Sequence, residues 1–193
     1  MSEENTKSVN SSKVYTLYYA FFLIPLIITI FGVMFFFMFK VLTYETSSPQ
    51  DYLTDIQIGS ATKRWQAAYE LSKLLSNPEM VPTDAGFKNK MVSIYQHAIH
   101  DDPMVRTYMA LAMGRTGQQD YGPILIEGLN DEDKGSRLAA IKALGLLAYT
   151  PAIKGIQEFA AEKYSNAERL AATISLGSMG DKSIIPILKK LLN

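Results

Sequence analysis

The sequence contains no cysteine and only two histidines among its 193 residues. The absence of cysteine excludes disulfides, thiolate zinc sites, iron–sulfur clusters and thioester chemistry. Lysine plus arginine balance aspartate plus glutamate at 19 each. The chain therefore lacks the excess positive charge with which nucleic-acid-binding proteins hold phosphate groups, and we expect no nucleic-acid partner.

Charged residues are also missing from a long run near the N-terminus, between Val14 and Phe39. A helix of that length exceeds the roughly 30 Å of bilayer hydrocarbon, and the run is longer than the apolar core of a signal peptide. Tyrosines at both ends and the flanking Lys13 and Lys40 suit the membrane interfaces. We predict a transmembrane helix over residues 14–42, in contact with lipid through Val14 to Phe39. A buried core helix and a cleaved signal peptide are the alternatives.

The lysines near this run give its expected orientation. Lys7 and Lys13 precede it in a polar tail over residues 1–13, and Lys40 is the lysine that follows it closely. The positive-inside rule then predicts a cytoplasmic N-terminus. In a bacterial cell the protein would be a single-pass inner-membrane protein with its C-terminal domain in the periplasm.

After an expected linker over residues 43–54, an internal repeat begins. It is marked by Arg64, Arg106, Arg137 and Arg169, which we call the ladder arginines; the last three are 31 and 32 residues apart. Leucine or methionine follows each at the seventh position and glycine or serine at the eighth: Leu71, Met113, Leu144 and Leu176, then Ser72, Gly114, Gly145 and Gly177.

Each unit predicts two helices. The first ends at a glycine such as Gly117 or Gly180, and the second opens with a proline such as Pro123 or Pro186. Small residues in the first helix permit close packing, and one unit alone cannot bury its apolar face, so the units must stack.

These motifs resemble the HEAT repeat, specifically the short bacterial form of phycobilisome-lyase-like proteins. The resemblance is carried by three segments: Asp102-Pro103-x-Val105-Arg106, Ala139-Ala140-x-x-Ala143-Leu144-Gly145 and Gly177-x-x-Gly180-Asp181-x-x-Ile184-Ile185-Pro186-x-Leu188. It implies an all-α protein in which the N-terminal transmembrane helix is followed by a short α-solenoid of about four helix pairs over residues 55–193.

The ladder arginines have two interpretations. Each could bind an acidic partner, or each could bond the acidic turn of the preceding unit and fix the register between units; we favour the structural role. The candidate acidic neighbours are Asp101, Asp102, Asp131, Asp133 and Glu168. Trp65 is expected to pack in the core, with contact to a membrane partner as the alternative.

The sequence contains little that indicates catalysis. His97 and His100 lie on one helix face and could form half a metal site, but a surface cluster near a helix C-terminus is the simpler interpretation. HEAT-fold iron hydroxylases use His-Glu pairs, and this sequence contains none. We therefore predict no catalytic residue, no cofactor and no metal.

The predicted function is a membrane-anchored, non-catalytic scaffold that binds a protein on the concave side of the solenoid. The alternative is an accessory subunit of a transporter, secretion or respiratory complex; an enzyme ranks third. Self-association is also possible because the last unit lacks a polar capping repeat. The candidate binding residues lie in the second helices: Gln96, Glu127, Lys154, Gln157, Glu158 and Lys189.

Overall fold

A computed structural model describes residues 15–42, 47–98, 102–182, 185–186 and 189. The chain divides into two compact units, Met1–Thr46 and Ser47–Asn193. All regular structure in the described residues is helical, which confirms the all-α fold class.

The first unit contains helix α1, Tyr15–Leu42, which is long and apolar enough to cross a membrane and has a mean hydropathy of 2.6. A π-helical turn, Tyr19–Leu23, lies just before Pro25. Proline has no N–H to donate and its ring crowds the preceding turn, so a wider turn at this point relieves the conflict. Thr29 Oγ1 donates to the Pro25 carbonyl at 2.8 Å. Val14, where the predicted lipid contact starts, lies outside the described residues.

The second unit consists of short helices in two layers. Their bounds are α2 Pro49–Ile58, α3 Ala61–Leu74, α4 Ala85–Ala98, α5 Pro103–Arg115, α6 Gly122–Glu127, α7 Lys134–Leu146, α8 Ile153–Glu158 and α9 Asn166–Ser178. The first-helix layer consists of α3, α5, α7 and α9, and each of these helices packs on the next one in the layer. The second-helix layer consists of α2, α4, α6 and α8, and each of these packs on the first helix that follows it in the chain.

Helix α2 begins inside the segment 43–54 that the sequence predicted to be a linker. Ser48 and Asp51 form a capping box, with Asp51 N donating to Ser48 Oγ at 3.2 Å and Ser48 N to Asp51 Oδ2 at 2.9 Å. The hydrogen bond from the Ser48 side chain lowers the pKa of the Asp51 carboxyl. Leu53 and Ile56 are fully buried, so α2 covers the apolar face of α3 that would otherwise be exposed.

Each first helix has its N-cap four residues before its ladder arginine and begins at the next residue. The N-cap residue at that position is Ser60, Asp102, Asp133 or Ser165, and its side chain accepts a hydrogen bond from a backbone N–H of the first turn. Such caps satisfy N–H groups that have no partner within the helix. Helix α7 starts directly after the acidic run Asp131–Asp133, with Asp133 as its N-cap.

Helices α5, α7 and α9 are each followed, eleven residues after the ladder arginine, by a residue whose backbone has a positive φ in the left-handed region. Gly117 and Gly180 have φ of +69° and +73°, as expected for glycines that terminate helices. The equivalent residue of α7 is Ala148, with φ of +48°. Glycine adopts this conformation without strain, whereas alanine does not.

Small residues allow the first helices to touch closely. A Cβ on Gly114 would lie 2.6 Å from Ala143 Cα, and one on Gly145 would lie 2.8 Å from Ser175 Cα. These positions lie eight residues after the ladder arginine, so each glycine faces the helix that follows its own. Trp65 is half-buried against the core, which agrees with the expected packing role.

Two ladder arginines, Arg106 and Arg137, join successive units, as the favoured structural role predicts, and their acidic partners are two of the five candidates, Asp131 and Glu168. Arg106 donates from Nε to Asp131 Oδ2 at 2.6 Å and from Nη1 to the Ala98 carbonyl at 2.7 Å. Arg137 donates from Nε to Glu168 Oε1 at 3.1 Å and from Nη1 to the Asp131 carbonyl at 2.7 Å. The carboxylates of Asp131 and Glu168 thus lie later in the chain than the arginines they pair with, and the Ala98 and Asp131 carbonyls lie earlier.

Arg137 bonds the acidic turn before it, as predicted, but through the carbonyls of Asp131 and Glu132. The correction concerns the carboxylates that pair with Arg106 and Arg137, which belong to the following unit. Asp102 and Asp133 are occupied as N-caps, and Asp101 lies outside the described residues. Because Ala98 ends α4, Arg106 satisfies a carbonyl that has no partner within its helix. Arg64 does the same for Ile56 near the end of α2, at 2.9 Å.

Candidate functional site

The clearest recess of the second-helix layer is a cleft of about 480 Å³ beside α6 and α8. Ile126 of α6 and Gly155 of α8 contribute to its walls, and the chain after each helix completes it. Each helix is only six residues long; α6 is followed by a 3-10 helix, Gly128–Asn130, and α8 by turns. The lining residues are Ile126, Leu129, Asn130, Asp131, Glu132, Arg137, Gly155, Glu158, Phe159 and Tyr164.

The charged groups of the cleft fall into two sets. Asp131 and Arg137 belong to the ladder and are held by internal bonds; the side chain of Asp131 is only 5% exposed. Glu132 and Glu158 are exposed residues, and their carboxylates form no ion pair with the part of the chain that the structure describes. Because apolar residues such as Ile126, Leu129 and Phe159 line the same cleft, it suits a bound cationic side chain with an aliphatic stem.

An aromatic pair forms one end of the cleft. The rings of Phe159 and Tyr164 have centroids 4.5 Å apart, and Lys163 Nζ lies 4.9 Å from the Tyr164 centroid. Phe159 is buried and Tyr164 half-buried, so the pair gives the cleft a rigid, partly accessible apolar wall. The repeat alignment gave no signal for this pair.

The six predicted binding residues do not gather at one place. Glu158 lines the cleft. Gln96, Glu127 and Lys154 are exposed on second helices but do not line it. Gln157 is half-buried and donates from Nε2 to Asp181 Oδ2 at 2.9 Å, so it holds the end of α9 in place. Lys189 is exposed in a helical segment whose adjoining residues lie outside the described chain.

A second groove, of about 390 Å³, lies on the first-helix layer where α5, α7 and α9 adjoin. Its walls include Leu111, Leu146 and Ile174, with Lys142 and Arg115 beside them. Arg115 Nη1 donates to the Ser72 carbonyl at 2.6 Å, so that guanidinium ties α5 to α3. This groove is more apolar than the cleft and has no unpaired carboxylate among its lining residues.

The histidine pair is only partly described. His97 is exposed, with Nδ1 2.7 Å from the Ser93 carbonyl, and His100 lies outside the described residues. Within the described ranges, no three His, Asp or Glu side chains are grouped so that they could hold a metal ion.

Two buried tyrosines, Tyr95 and Tyr121, have hydroxyl groups whose pKa is raised. Burial, assisted by the charge of Asp131, raises the pKa of Tyr95. Burial, assisted by Asp120, raises the pKa of Tyr121, whose hydroxyl contacts Met91 Sδ at 3.4 Å. Both side chains are buried in the core, and both phenols are neutral at physiological pH.

Family models match the region that contains both recesses. Residues 91–166 match the model for HEAT repeats, and residues 168–193 match the model for the PBS lyase HEAT-like repeat. The chain carries a HEAT-repeat domain. The two matches together cover more than half of the sequence and confirm the resemblance seen in its motifs. A search of curated proteins gave no match. HEAT-repeat domains commonly serve as scaffolds for protein interaction and are generally non-catalytic.

Proposed function

We propose that this protein is a membrane-anchored scaffold whose HEAT domain binds a partner protein through the cleft beside α6 and α8. The observation that carries the proposal is that one cleft is lined both by two carboxylates without an ion pair, Glu132 and Glu158, and by the aromatic pair Phe159 and Tyr164. The partner segment that fits presents lysine or arginine flanked by apolar residues. Its cation pairs with the carboxylates while the apolar neighbours cover the aromatic wall.

A photo-crosslinking amino acid placed at Glu158 in living cells tests this proposal. We expect one protein to crosslink there in high yield. The matched control places the same amino acid at Lys142, an exposed residue of the first-helix layer. Equal crosslinking of the same protein from both positions would refute the cleft as the binding site. Lys154 and Lys189 remain secondary candidates, which charge reversal to glutamate tests in the same assay.

Anchoring is the second part of the proposal and is supported by the length and apolar composition of α1. A tether of this kind raises the effective concentration of the domain near membrane neighbours. Replacing Ile28 and Phe31 with aspartate raises the free energy of membrane insertion by about 2.5–3.5 kcal/mol per residue. The wild-type chain should resist alkaline extraction from membranes, whereas the double variant should be released. Release of the wild type would contradict the anchor.

We further propose that the HEAT domain faces the periplasm of a bacterial cell, because Lys7 and Lys13 favour a cytoplasmic N-terminus. Since the chain has no cysteine, one introduced cysteine reports on its location without background. A Lys142→Cys variant, with the cysteine at an exposed position outside the cleft, should react with a membrane-impermeant maleimide in intact spheroplasts. Labelling only after lysis would place the domain in the cytoplasm.

An accessory subunit of a larger membrane complex is the alternative function. It is favoured by Gly32, beside which α1 leaves space for another helix to approach. Replacing residues 15–42 with an unrelated membrane helix separates the two functions. A simple tether keeps its partner after the exchange, whereas an accessory subunit that packs through α1 loses it.

A further inference from the structure

Arg137 lines the cleft, but its hydrogen bonds are made within the domain. Its Nη1 donates to the carbonyls of Asp131 and Glu132 at 2.7 and 2.9 Å. Its Nε and Nη2 donate to Glu168 Oε1 at 3.1 and 2.9 Å. These four hydrogen bonds use almost all the donors that a guanidinium has.

This arrangement leaves the two glutamates of the cleft without an internal partner. Glu132 and Glu158 are exposed and form no ion pair within the described part of the chain. An arginine with free donors in the same wall would attract their carboxylates and neutralise them. Because Arg137 instead donates to Glu168 and to backbone carbonyls, the cleft keeps its negative charge for a bound cation.

The pair of Arg137 and Glu168 also connects two walls of the cleft. On one side, Arg137 holds the backbone of Glu132. On the other side, Glu168 Oε2 accepts hydrogen bonds from Ser165 N at 3.1 Å and from Ser165 Oγ at 2.6 Å, and Ser165 directly follows Tyr164 of the aromatic wall. The side chains of Arg137 and Glu168 are 16% and 3% exposed, so little water competes with these bonds.

Arg106 restrains the same acidic turn. It donates from Nε and Nη2 to the two carboxylate oxygens of Asp131 at 2.6 and 3.0 Å. Asp131 Oδ1 also accepts a hydrogen bond from Asp133 N at 2.9 Å. The turn that carries Glu132 is thus held through both side-chain and backbone atoms before any partner binds.

We propose that Arg137 is a positioning residue of the cleft, which holds Glu132 at a fixed distance from the aromatic wall through its bonds to Glu168. This role rests on the proposed function, since it belongs to the same site. A cleft whose walls are already fixed loses less conformational entropy when a partner binds. Arg137→Lys keeps the charge but lacks the planar fork that reaches Glu168 and both carbonyls at once. We therefore expect this variant to loosen the walls and to weaken binding in the cleft.

Electron paramagnetic resonance of two spin labels measures the distance between the walls, because a chain without cysteine gives no background labelling. The labels are attached at Asn130→Cys and Lys163→Cys, two exposed positions next to the two walls, in the full chain in mild detergent. We expect a narrow distance distribution in this background and a broader one when Arg137→Lys is added. Arg115→Lys is the matched control and should leave the distribution narrow, because Arg115 also donates to a carbonyl, that of Ser72, but does not line the cleft.

A second variant, Glu168→Gln, keeps the shape of the carboxylate but removes its charge. It should broaden the distribution in the same way, to a smaller extent than Arg137→Lys. Circular dichroism establishes that each variant is folded, and Glu168→Gln decides the question should Arg137→Lys fail to fold. A folded Arg137→Lys variant with an unchanged distribution would overturn the proposal, and so would equal broadening by Arg115→Lys.

Photo-crosslinking from Glu158 separates this role from the proposed function of the cleft. With a wild type that captures a protein there, Arg137→Lys should lower the yield about tenfold, whereas Arg115→Lys should leave it unchanged. An undiminished yield with Arg137→Lys would overturn the positioning role. A wild type that captures no protein would refute the cleft as a binding site, while the distance measurement still decides whether Arg137 fixes its walls.

Discussion

Ala148 is the alanine that occupies a position held by glycine in two other units, and its replacement by glycine should stabilise the domain. Its φ of +48° is left-handed, whereas Gly117 and Gly180 carry the same conformation without a Cβ. A left-handed residue with a side chain costs about 1–2 kcal/mol relative to a right-handed one. Glycine recovers that cost but loses about 0.4–1 kcal/mol through the greater entropy of the unfolded chain.

The net gain from Ala148→Gly should lie between about 0 and 1.6 kcal/mol. No packing is lost because Ala148 is exposed, and the turn keeps its backbone hydrogen bonds. Tyr149 N still donates to the Leu144 carbonyl at 3.0 Å, as Asp181 N does to Leu176. For a domain of this size the gain corresponds to a rise in Tm of up to roughly 6 °C.

Thermal and urea unfolding of the full chain in mild detergent, followed by circular dichroism, measure this change. Ala167→Gly is the matched control, since Ala167 is exposed within α9 and has helical geometry. That control should lose about 0.5–1 kcal/mol. Gly117→Ala, the reverse exchange, should lose about 1 kcal/mol. If Ala148→Gly were as destabilising as Ala167→Gly, the argument from the left-handed backbone would be wrong.

Three further predictions concern the contacts between units, and urea unfolding checks each of them. Gly145→Ala should cost about 1–3 kcal/mol, because its new methyl would force α7 and α9 apart against the Ser175 backbone. Asp131→Ala should cost about 3–5 kcal/mol, because it leaves the 7% exposed Arg106 buried without its carboxylate. A loss below 1 kcal/mol in either variant would refute the tight contact or the buried pair. The third prediction concerns pH: burial alone would raise the pKa of Glu168, but hydrogen bonds from Ser165 and Arg137 lower it overall. A lowered folded pKa gives stability that is complete above the ordinary value of 4.5 and is lost as the pH falls below it. Glu168→Gln should flatten this acid dependence, and an unchanged slope would contradict the assignment.

The repeat itself could be predicted from the sequence because its signals are local. A ladder arginine, a small residue eight positions later and a glycine at the eleventh position give the helix start, the close contact and the helix end. Ser60 and Asp133 stand at the same distance before their arginines, so the caps follow from the same alignment.

The sequence named Asp131 and Glu168 among five candidate partners but could not assign either of them to its arginine. Asp131 lies six residues before Arg137, whereas Glu168 lies one residue before Arg169, so the two acids occupy different positions of the repeat. An alignment of units therefore does not reveal that each of these acids forms an ion pair with a ladder arginine. The stacking geometry alone brings each one to the arginine of the preceding first helix.

Helix α2 and the cleft escaped prediction for related reasons. Helix α2 is a lone second helix without an arginine-bearing partner before it, so no repeat signal marks it. The cleft depends on the shortness of α6 and α8 and on the pair Phe159 and Tyr164, which occurs once. Of the predicted binding residues, Glu158 lines this cleft because it ends α8 at the cleft wall.

Binding of a partner protein through the cleft that contains Glu158 can be measured on the tagged full chain, purified from membranes in mild detergent, by quantitative mass spectrometry of the co-purifying proteins. We expect a stoichiometric partner with the wild type and with Lys142→Glu. Glu158→Lys should lose that partner at least tenfold, corresponding to about 1.4 kcal/mol of binding free energy. Equal recovery of the partner with Glu158→Lys and the wild type would show that the cleft is not the binding site.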